Sequence, residues 1–370
     1  MIIAVLGAYG DVGRQATRQL LGLGRGALRL GGRDVAAARD FAAQLPAADL
    51  ACCAVDYRDR ASLRAFVDGA RIVVNCAGPS HAIGDAVALE ALRTGADYID
   101  VAGDDALHRT LDAEAFARAG RTVVLSCGLQ PGLTGLLPRW QAQHAFDEVH
   151  RLVSYFAVLD QFTAVAADDY LQGAEEGVSE PLAAWRNGHR RSRASTRVQG
   201  VRVPFFPGAA TLLPFLDAEG ERLARALRLE RGDWHTVLVG EQIRRAFDRA
   251  RTLGRAEAIA ALRRASLLDL AGREPYVVLL VQLEGRRGGA PATRTLMVRG
   301  HGNAVLTGTM AALGVRAVDE GTVPPGCHFA ADVLPPATTV ARLRGSGALG
   351  AFELFDGALD ARTEHEEGSL

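Results

Sequence analysis

Three glycines near the start of the sequence have the spacing of a phosphate cradle. Gly7, Gly10 and Gly13 stand in the run IIAVLGAYGDVG, residues 2–13. Ahead of them Ile2, Ile3, Ala4, Val5 and Leu6 make an apolar run, as in a parallel strand buried on both faces. Behind them RQATRQLLGLG has the periodicity of an amphipathic helix. Strand, glycine turn and helix in that order form a dinucleotide-binding fingerprint. Gly7 is expected to permit the sharp turn, Gly10 to let the backbone approach a pyrophosphate, and Gly13 to bring helix and strand close together. Phosphates would rest on free amides at the helix N-terminus, which makes Gly7, Tyr9, Gly10, Asp11, Val12 and Gly13 the first candidates for cofactor contact. The spacing is G-x-x-G-x-x-G and not the commoner G-x-G-x-x-G, so an ordinary glycine turn of an α/β protein stays open on this motif alone.

The choice of dinucleotide falls at the end of the next strand. Ala27–Leu30 reads as that strand and runs into Gly31-Gly32-Arg33-Asp34. An acid there would hold the ribose 2′-hydroxyl of NAD. This sequence has glycines and then Arg33, whose guanidinium can pair bidentately with a 2′-phosphate, which favours NADP. The alternative is a solvated arginine opening a helix capped by Asp34. Asp56 follows the third strand, residues 49–55, where an acid can reach the adenine amino group or can serve as a cap or turn residue. The fourth strand, RIVVN, ends in Cys76-Ala77-Gly78-Pro79, and bare backbone at Ala77, Gly78 and Pro79 suits the nicotinamide ribose at the carboxyl edge of a sheet.

One omission limits the chemistry. All 42 basic side chains are arginine, and lysine is absent. Schiff-base and pyridoxal-phosphate catalysis, a Walker-type phosphate loop and any Tyr-x-x-x-Lys proton relay are therefore excluded. Cys52, Cys53, Cys76, Cys127 and Cys327 lie mostly in apolar, strand-like surroundings and read as buried free thiols; no ligand spacing supports a metal site.

These residues need a scaffold. A chain of 370 residues with 48% apolar and 23% charged side chains is expected to form a soluble globular protein of more than one domain. The net charge of −1 gives no reason to expect nucleic acid or an acidic membrane as partner. No apolar run approaches the roughly 20 residues that span a bilayer, and no signal-peptide pattern is seen, so a cytoplasmic protein is expected. After the first helix, strand and helix patterns alternate: helices over 35–45, 61–69, 83–94 and 105–119, strands over 49–55, 71–75, 96–103 and 121–128. Six such alternations within about 130 residues predict a doubly wound parallel sheet, an α/β fold of Rossmann type. Beyond Trp140 the pattern becomes α+β. A strand is expected over 148–159, helices over 160–174 and 181–188, a solvated basic loop over 190–197, an irregular proline-containing stretch over 201–215 and helix over 243–270. VVLLVQLEG and TRTLMVRG read as an antiparallel hairpin. A helix over 303–315, a turn and strand over 322–333 and a last helix over 337–345 follow.

The run VVNCAGPSHAIGDAVALEALRTGADYIDVAGD, followed by AGRTVVLSCGLQPGLTGLL, resembles the saccharopine dehydrogenase-like reductases. The shared features are N-C-A-G-P, an A-L-x-x-G-A-x-Y-I-D strand and a G-x-x-P-G helix start, and they cover residues 1 to about 140. The rest of the chain matches only in outline. The resemblance implies a pyridine-nucleotide oxidoreductase, with imine reduction among the family's familiar reactions. It implies a Rossmann domain over 1–140, an α+β substrate and dimerisation domain over 141–302, a segment over 303–358 returning to the first domain, and a polar tail over 359–370. A small-molecule substrate and a homodimer are expected. The lysine–histidine acid/base pair of some saccharopine-forming relatives cannot be present, which argues against a role in lysine synthesis.

Hydride transfer needs position more than side-chain chemistry, because the cofactor supplies the hydride. The catalytic candidates are accordingly few: Asp104, Tyr170 and His301. Asp104, close to Asp100 and Asp105, could steady an iminium or orient a substrate amine; capping the helix over 105–119 is the competing role. Tyr170 follows Asp168 and Asp169 on a helix, where half-burial is the alternative. His301 sits between glycines, where a capping role competes. Tyr155, Arg299 and His328 carry less weight. After strand six, Cys127, Gly128, Gln130 and the helix start at Gly132 are expected at the cofactor edge, with amides that could take a substrate carboxylate. The leading expectation is an NADPH-dependent reductase of a C=N or C=O group in a small carboxylate-bearing metabolite. A homospermidine synthase-like transferase that borrows hydride internally, and a non-catalytic NADP-binding sensor, are the alternatives.

Overall fold

The computed structural model describes residues 1–24, 26–46, 49–175, 179–250 and 252–359. From residue 360 on, the tail expected at 359–370 lies outside the described residues. The chain divides into two units, residues 1–136 with 304–348, and residues 137–303 with the chain from 349 onward.

The first unit alternates strand and helix: β1 (Ile2–Leu6), α1 (Asp11–Gly22), β2 (Ala27–Gly32), α2 (Val35–Ala42), β3 (Leu50–Ala54), α3 (Arg60–Val67), β4 (Ile72–Asn75), α4 (Ser80–Ile83), α5 (Ala86–Thr94), β5 (Asp97–Asp100), α6 (Asp105–Thr110), α7 (Ala113–Arg118) and β6 (Thr122–Leu125). The chain leaves the unit within α8 (Leu133–Ala145). The second unit follows with β7 (Glu148–Leu159), α9 (Ala164–Glu175), β8 (Glu180–Pro181), β9 (Ala184–Arg186), β10 (His189–Arg191), β11 (Val198–Arg202), β12 (Ala209–Leu216), α10 (Ala218–Ala226), β13 (Arg231–Leu238), α11 (Glu241–Ala250), α12 (Arg255–Leu270), β14 (Tyr276–Arg287) and β15 (Ala290–Gly300). Then come α13 (Asn303–Asp319), β16 (Gly326–Phe329), α14 (Ala330–Val333), α15 (Pro336–Gly345) and β17 (Leu349–Asp356).

The first unit is the doubly wound sheet that the alternation predicts. Its seven strands are parallel in the order β16-β6-β5-β4-β1-β2-β3. The order reverses between β1 and β4, the switch point where open α/β sheets bind ligands. β1 is apolar throughout, and β4 is apolar up to its last residue, Asn75, because helices cover both faces of the sheet. Leu6, Val73, Tyr98, Val123 and Phe66 join one buried cluster, each apolar side chain contributing about 1.5–3 kcal/mol. The seventh strand, β16, comes from the end of the chain. α13 lies against α1 so closely that a Cβ on Gly308 would stand 2.5 Å from the Ala16 amide nitrogen.

The second unit is built on a mixed sheet of ten strands with the path β10-β9-β13-β7-β14-β15-β17, and β12 joins it through β13. β14 and β15 form the expected hairpin, closed by Gly288 and Gly289, both at positive φ.

Several elements differ from the sequence reading. The helix expected over 83–94 is two, interrupted at Gly84, whose φ of +53° no regular helix accepts. The helix over 105–119 is also two, because Asp112 takes the Ala115 amide and caps a new start. Residues 181–188 hold no helix: they carry the end of β8, a turn, the strand β9 and the turn that follows it. Trp185 is fully buried there with its indole nitrogen bonded to Leu229 O at 2.9 Å, and that burial overrides local helix preference. The basic loop over 190–197 begins as β10, with Arg190 paired to Glu221 and Glu180. In the stretch over 201–215, Pro214 lies within β12 opposite His235, while Pro204 and Pro207 fall in the connection. The returning segment is shorter than 303–358: it ends at Ala348, and β17, for which no strand was expected, pairs with β15 in the second unit.

Candidate cofactor site

The glycine turn is locked from three sides. Gly7 has φ +75°, and its amide and that of Ala8 both donate to Gly31 O, at 2.8 and 3.1 Å. A Cβ on Gly7 would lie 2.8 Å from Ala77 N, so the turn presses on the loop after β4. A Cβ on Gly13 would lie 2.1 Å from Gly7 O. Gly10 is different: only Gly7 O, at 3.3 Å, stands within contact range of its missing Cβ, and Gly10 and Asp11 are exposed. No side chain caps α1, which begins at Asp11. An open glycine at an uncapped helix N-terminus fits the pyrophosphate of a dinucleotide.

The end of β2 is shaped by contacts that spacing alone does not reveal. A Cβ on Gly31 would meet the Phe66 ring at 2.3 Å, and one on Gly32 would meet the Tyr9 ring at 2.3 Å. The Tyr9 hydroxyl accepts from the Asp34 amide at 3.0 Å, and the Arg14 Nε donates to Tyr9 O at 2.8 Å. Asp34 caps α2 through Ala37 N, as the sequence allowed. An acid at position 32 would collide with Tyr9, so the place where NAD-binding sheets carry their carboxylate is closed here. Arg33 is exposed directly beyond.

Asp56 does not cap the third helix; Asp59 does, through Ala61 N. Its carboxylate instead grips Arg58 side-on, with Nε to Oδ1 at 2.9 Å and Nη2 to Oδ2 at 2.6 Å. Hydrogen bonds from the Arg58 side chain and backbone hold the Asp56 carboxyl down to about 2. A carboxylate whose pKa falls on folding adds stability above its ordinary value near 3.8 and loses it as pH drops through the lowered value. The Asp56–Arg58 pair is therefore expected to stay intact above about pH 4 and to break toward pH 2, which a carboxyl NMR titration of Asp56 will show; a midpoint near 3.8 would contradict it.

The loops after β4, β5 and β6 are tied together by buried polar groups. Asp100, 2% exposed, accepts from Asn75 Nδ2 at 3.0 Å, Ala102 N at 2.9 Å and Gly103 N at 2.8 Å, and from the Tyr98 hydroxyl. Asn75 Oδ1 in turn accepts from Ala77 N at 3.1 Å, which shapes the Cys76–Pro79 loop. Burial and the Asp100 charge push the Tyr98 phenol far up. Ser126 Oγ donates to Gly103 O at 2.8 Å. Neither Asn75 nor Asp100 is marked by a motif as the centre of this network. Their signal was position: each closes a wholly apolar or buried strand directly before a glycine-containing loop.

Asp104 takes the capping role, its Oδ1 accepting from Ala106 N and Leu107 N at 2.9 and 3.2 Å. The amides expected to receive a carboxylate at the start of α8 are already in use: Leu133 N bonds to Gly128 O, Thr134 N to Leu129 O and Gly135 N to Gly132 O. Cys127 is buried, its Sγ lies 3.3 Å from Met310 O, and burial raises the thiol to about 12, so it is no nucleophile. Gly128 is buried under Val101 O and Thr307, with its amide donating to Pro131 O.

In the second unit, Tyr170 lies in an aromatic cluster with Phe247 at 4.9 Å and Phe162 at 6.1 Å, and Asp168 is paired with Arg255. Tyr155 stacks on His235 at 5.0 Å. His301 is exposed beyond the end of β15, with its ring against Gly350. His328 sits in β16 of the first unit with its Nε2 3.0 Å from Pro324 O.

Residues 3–124 match the family model described as "Saccharopine dehydrogenase NADP binding domain". A probable mitochondrial saccharopine dehydrogenase-like oxidoreductase of Arabidopsis thaliana is 28% identical over 152 residues, covering 36% of this chain and 34% of its own length. Carboxyaminopropylagmatine dehydrogenase of Synechocystis is 30% identical over 134 residues, covering 33% of each chain. The match thus spans about a third of these relatives' length. The apo saccharopine dehydrogenase (L-Glu forming) of Saccharomyces cerevisiae shares the fold over 96% of this chain and 100% of that chain, with TM-score 0.70 and 16% identity. No helix among the described residues is long and apolar enough to cross a membrane. The glycine turn and the N-C-A-G-P loop both fall within residues 3–124, the stretch that is similar to a saccharopine dehydrogenase NADP-binding domain.

Proposed function

We propose that this protein is an NADPH-dependent reductase of a C=N group, or less readily a C=O group, in a small carboxylate-bearing metabolite. The observation that carries the reading is the end of β2, where Tyr9 closes position 32 to an acid and Arg33 stands exposed beside it. The names of the relatives, all dehydrogenases or oxidoreductases, support the reaction class. NADPH supplies the hydride when bound. The residues of the turn, Gly7, Tyr9, Gly10, Asp11, Val12 and Gly13, hold the pyrophosphate and exclude water from it. Arg33 pairs with the 2′-phosphate. The Asn75–Asp100 pair keeps Ala77, Gly78 and Pro79 in the shape assigned to the nicotinamide ribose. Asp104 commits Oδ1 to its helix cap, and Oδ2 is the oxygen assigned to a substrate amine. His301, exposed in the second unit, is assigned to proton handling; the aromatic packing of Tyr170 supports its half-buried role instead. The five cysteines, all free, suit the reducing cytoplasm. A homodimer completes the reading, and light scattering tests it.

Replacing Arg33 by alanine is expected to weaken NADPH binding about tenfold and NADH binding little, since one charge-assisted contact is lost. Titration calorimetry with both nucleotides measures this; equal losses, or tighter native binding of NADH, would overturn the 2′-phosphate assignment. NADPH consumption with paired amines and keto acids tests the reaction. Turnover without net consumption would favour the transferase, and binding without turnover the sensor.

A further inference from the structure

We infer that Arg58 is the second arm of the 2′-phosphate site, held in position by Asp56. The inference rests on the NADPH reading above and adds a residue that determines specificity. β2 and β3 are adjacent parallel strands, with Gly32 opposite Ala54 and Val55 N donating to Gly32 O at 2.9 Å. Arg33 directly follows Gly32, and Asp56 directly follows Val55, so the two strand ends leave the sheet side by side. The charge of Arg33 is felt at the Asp56 carboxyl, which it helps to lower.

The geometry of the Asp56–Arg58 pair decides what Arg58 can still do. The carboxylate takes Nε and Nη2, the side edge of the guanidinium. A guanidinium has five N–H donors, so both N–H bonds of Nη1 and one of Nη2 remain at its far end. That end is a fork of the width that phosphate oxygens accept. The Arg58 side chain is 65% exposed and Asp56 34% exposed, so the fork is reachable by a ligand. The neighbouring carboxylates are engaged elsewhere: Asp34 caps α2 and Asp59 caps α3.

Arg58 also changes the charge that a phosphate meets. Arg33 with an unpaired Asp56 would present no net charge. With Arg58 the trio Arg33, Asp56 and Arg58 carries +1 where Arg33 and Asp56 alone carry none, toward a dianionic phosphate. Asp56 therefore acts as a positioning residue. It orients Arg58, and Arg58 cancels it.

The test uses the full chain and measures dissociation constants for NADPH and NADH, and for 2′,5′-adenosine bisphosphate and AMP; the members of each pair differ only at the phosphate in question. The native protein is expected to prefer the phosphorylated member of each pair. In R58A that preference should fall about tenfold or more, the worth of a charge-assisted contact, with NADH and AMP little changed. In the double variant R58A/D56A it should stay below the native value, because the fork is gone even though the anion is too. Arg58 is exposed, and near-native thermal unfolding of R58A will confirm the fold. An unchanged preference in R58A, or a native preference restored in R58A/D56A, overturns the role of Arg58 as a phosphate donor. A native protein without preference for the 2′-phosphate overturns the NADPH reading itself, and a loss in R33A without one in R58A overturns this inference alone.

Discussion

Replacing Gly13 by alanine is expected to weaken NADPH binding at least about a hundredfold and to destabilise the first unit. The added Cβ would stand 2.1 Å from Gly7 O and 2.8 Å from Ala8 Cα, all backbone atoms that cannot swing aside. The turn cannot slide away, since the Gly7 and Ala8 amides are bonded to Gly31 O. Nor can α1 easily retreat, because α13 crosses it at Gly308, where a Cβ would be 2.5 Å from Ala16 N. Overpacking of this kind costs about 1–3 kcal/mol or more. The shift of roughly an ångström needed to relieve it would misplace the helix N-terminus that binds phosphate, so the Kd for NADPH should rise at least about a hundredfold. Gly10→Ala is the control. Its Cβ meets only Gly7 O, at 3.3 Å, so its melting temperature should stay near native while NADPH binding weakens. Calorimetry and thermal unfolding of both variants separate packing from ligand contact. A G13A protein that binds NADPH with native affinity would refute the tight crossing.

The second large effect is expected at Asp100. Its carboxylate, 2% exposed, satisfies the Asn75 amide, the Tyr98 hydroxyl and the amides of Ala102 and Gly103. Asp100→Ala orphans four donors at once, three of them buried and the Ala102 amide part-buried. Each orphan costs about 1–3 kcal/mol before relaxation, so a loss on the order of 4 kcal/mol is expected for the domain. Asp100→Asn keeps the shape but presents an NH2 group to the Asn75 amide, which can only donate, and forces the Tyr98 hydroxyl to turn and accept. It should cost about 2–3 kcal/mol and loosen the Cys76–Pro79 loop through Asn75. Urea unfolding measures both variants. An Asp100→Asn protein within about 0.5 kcal/mol of native would show that the network carries little.

What could be read from the chain alone depended on how local each feature is. The strand, glycine turn and helix of residues 2–22 are contiguous, and their apolar periods changed from strand to helix in plain sight. Asp34 was legible as a cap because capping needs only the next three residues. Asp104 presented the same pattern, and the cap is the role it takes. Trp185 was misread as helical because its neighbours favour helix, and only the pocket beneath Leu229 O makes it a strand residue. Arg58 was invisible among 42 arginines, since nothing in the residues around it states that Asp56 will grip its side edge.

Residue order alone determined the parallel α/β sheet, the position of the glycine turn in it and the exclusion of lysine chemistry, because these depend on residue identity and on periods within one element. Tertiary structure decided the rest. It set which atoms forbid a side chain at Gly13 and Gly32, and it placed four donors around Asp100. It also sent β17 back to the second sheet. Those outcomes depend on the register between strands and on the crossing of helices distant in sequence, which local propensity does not encode.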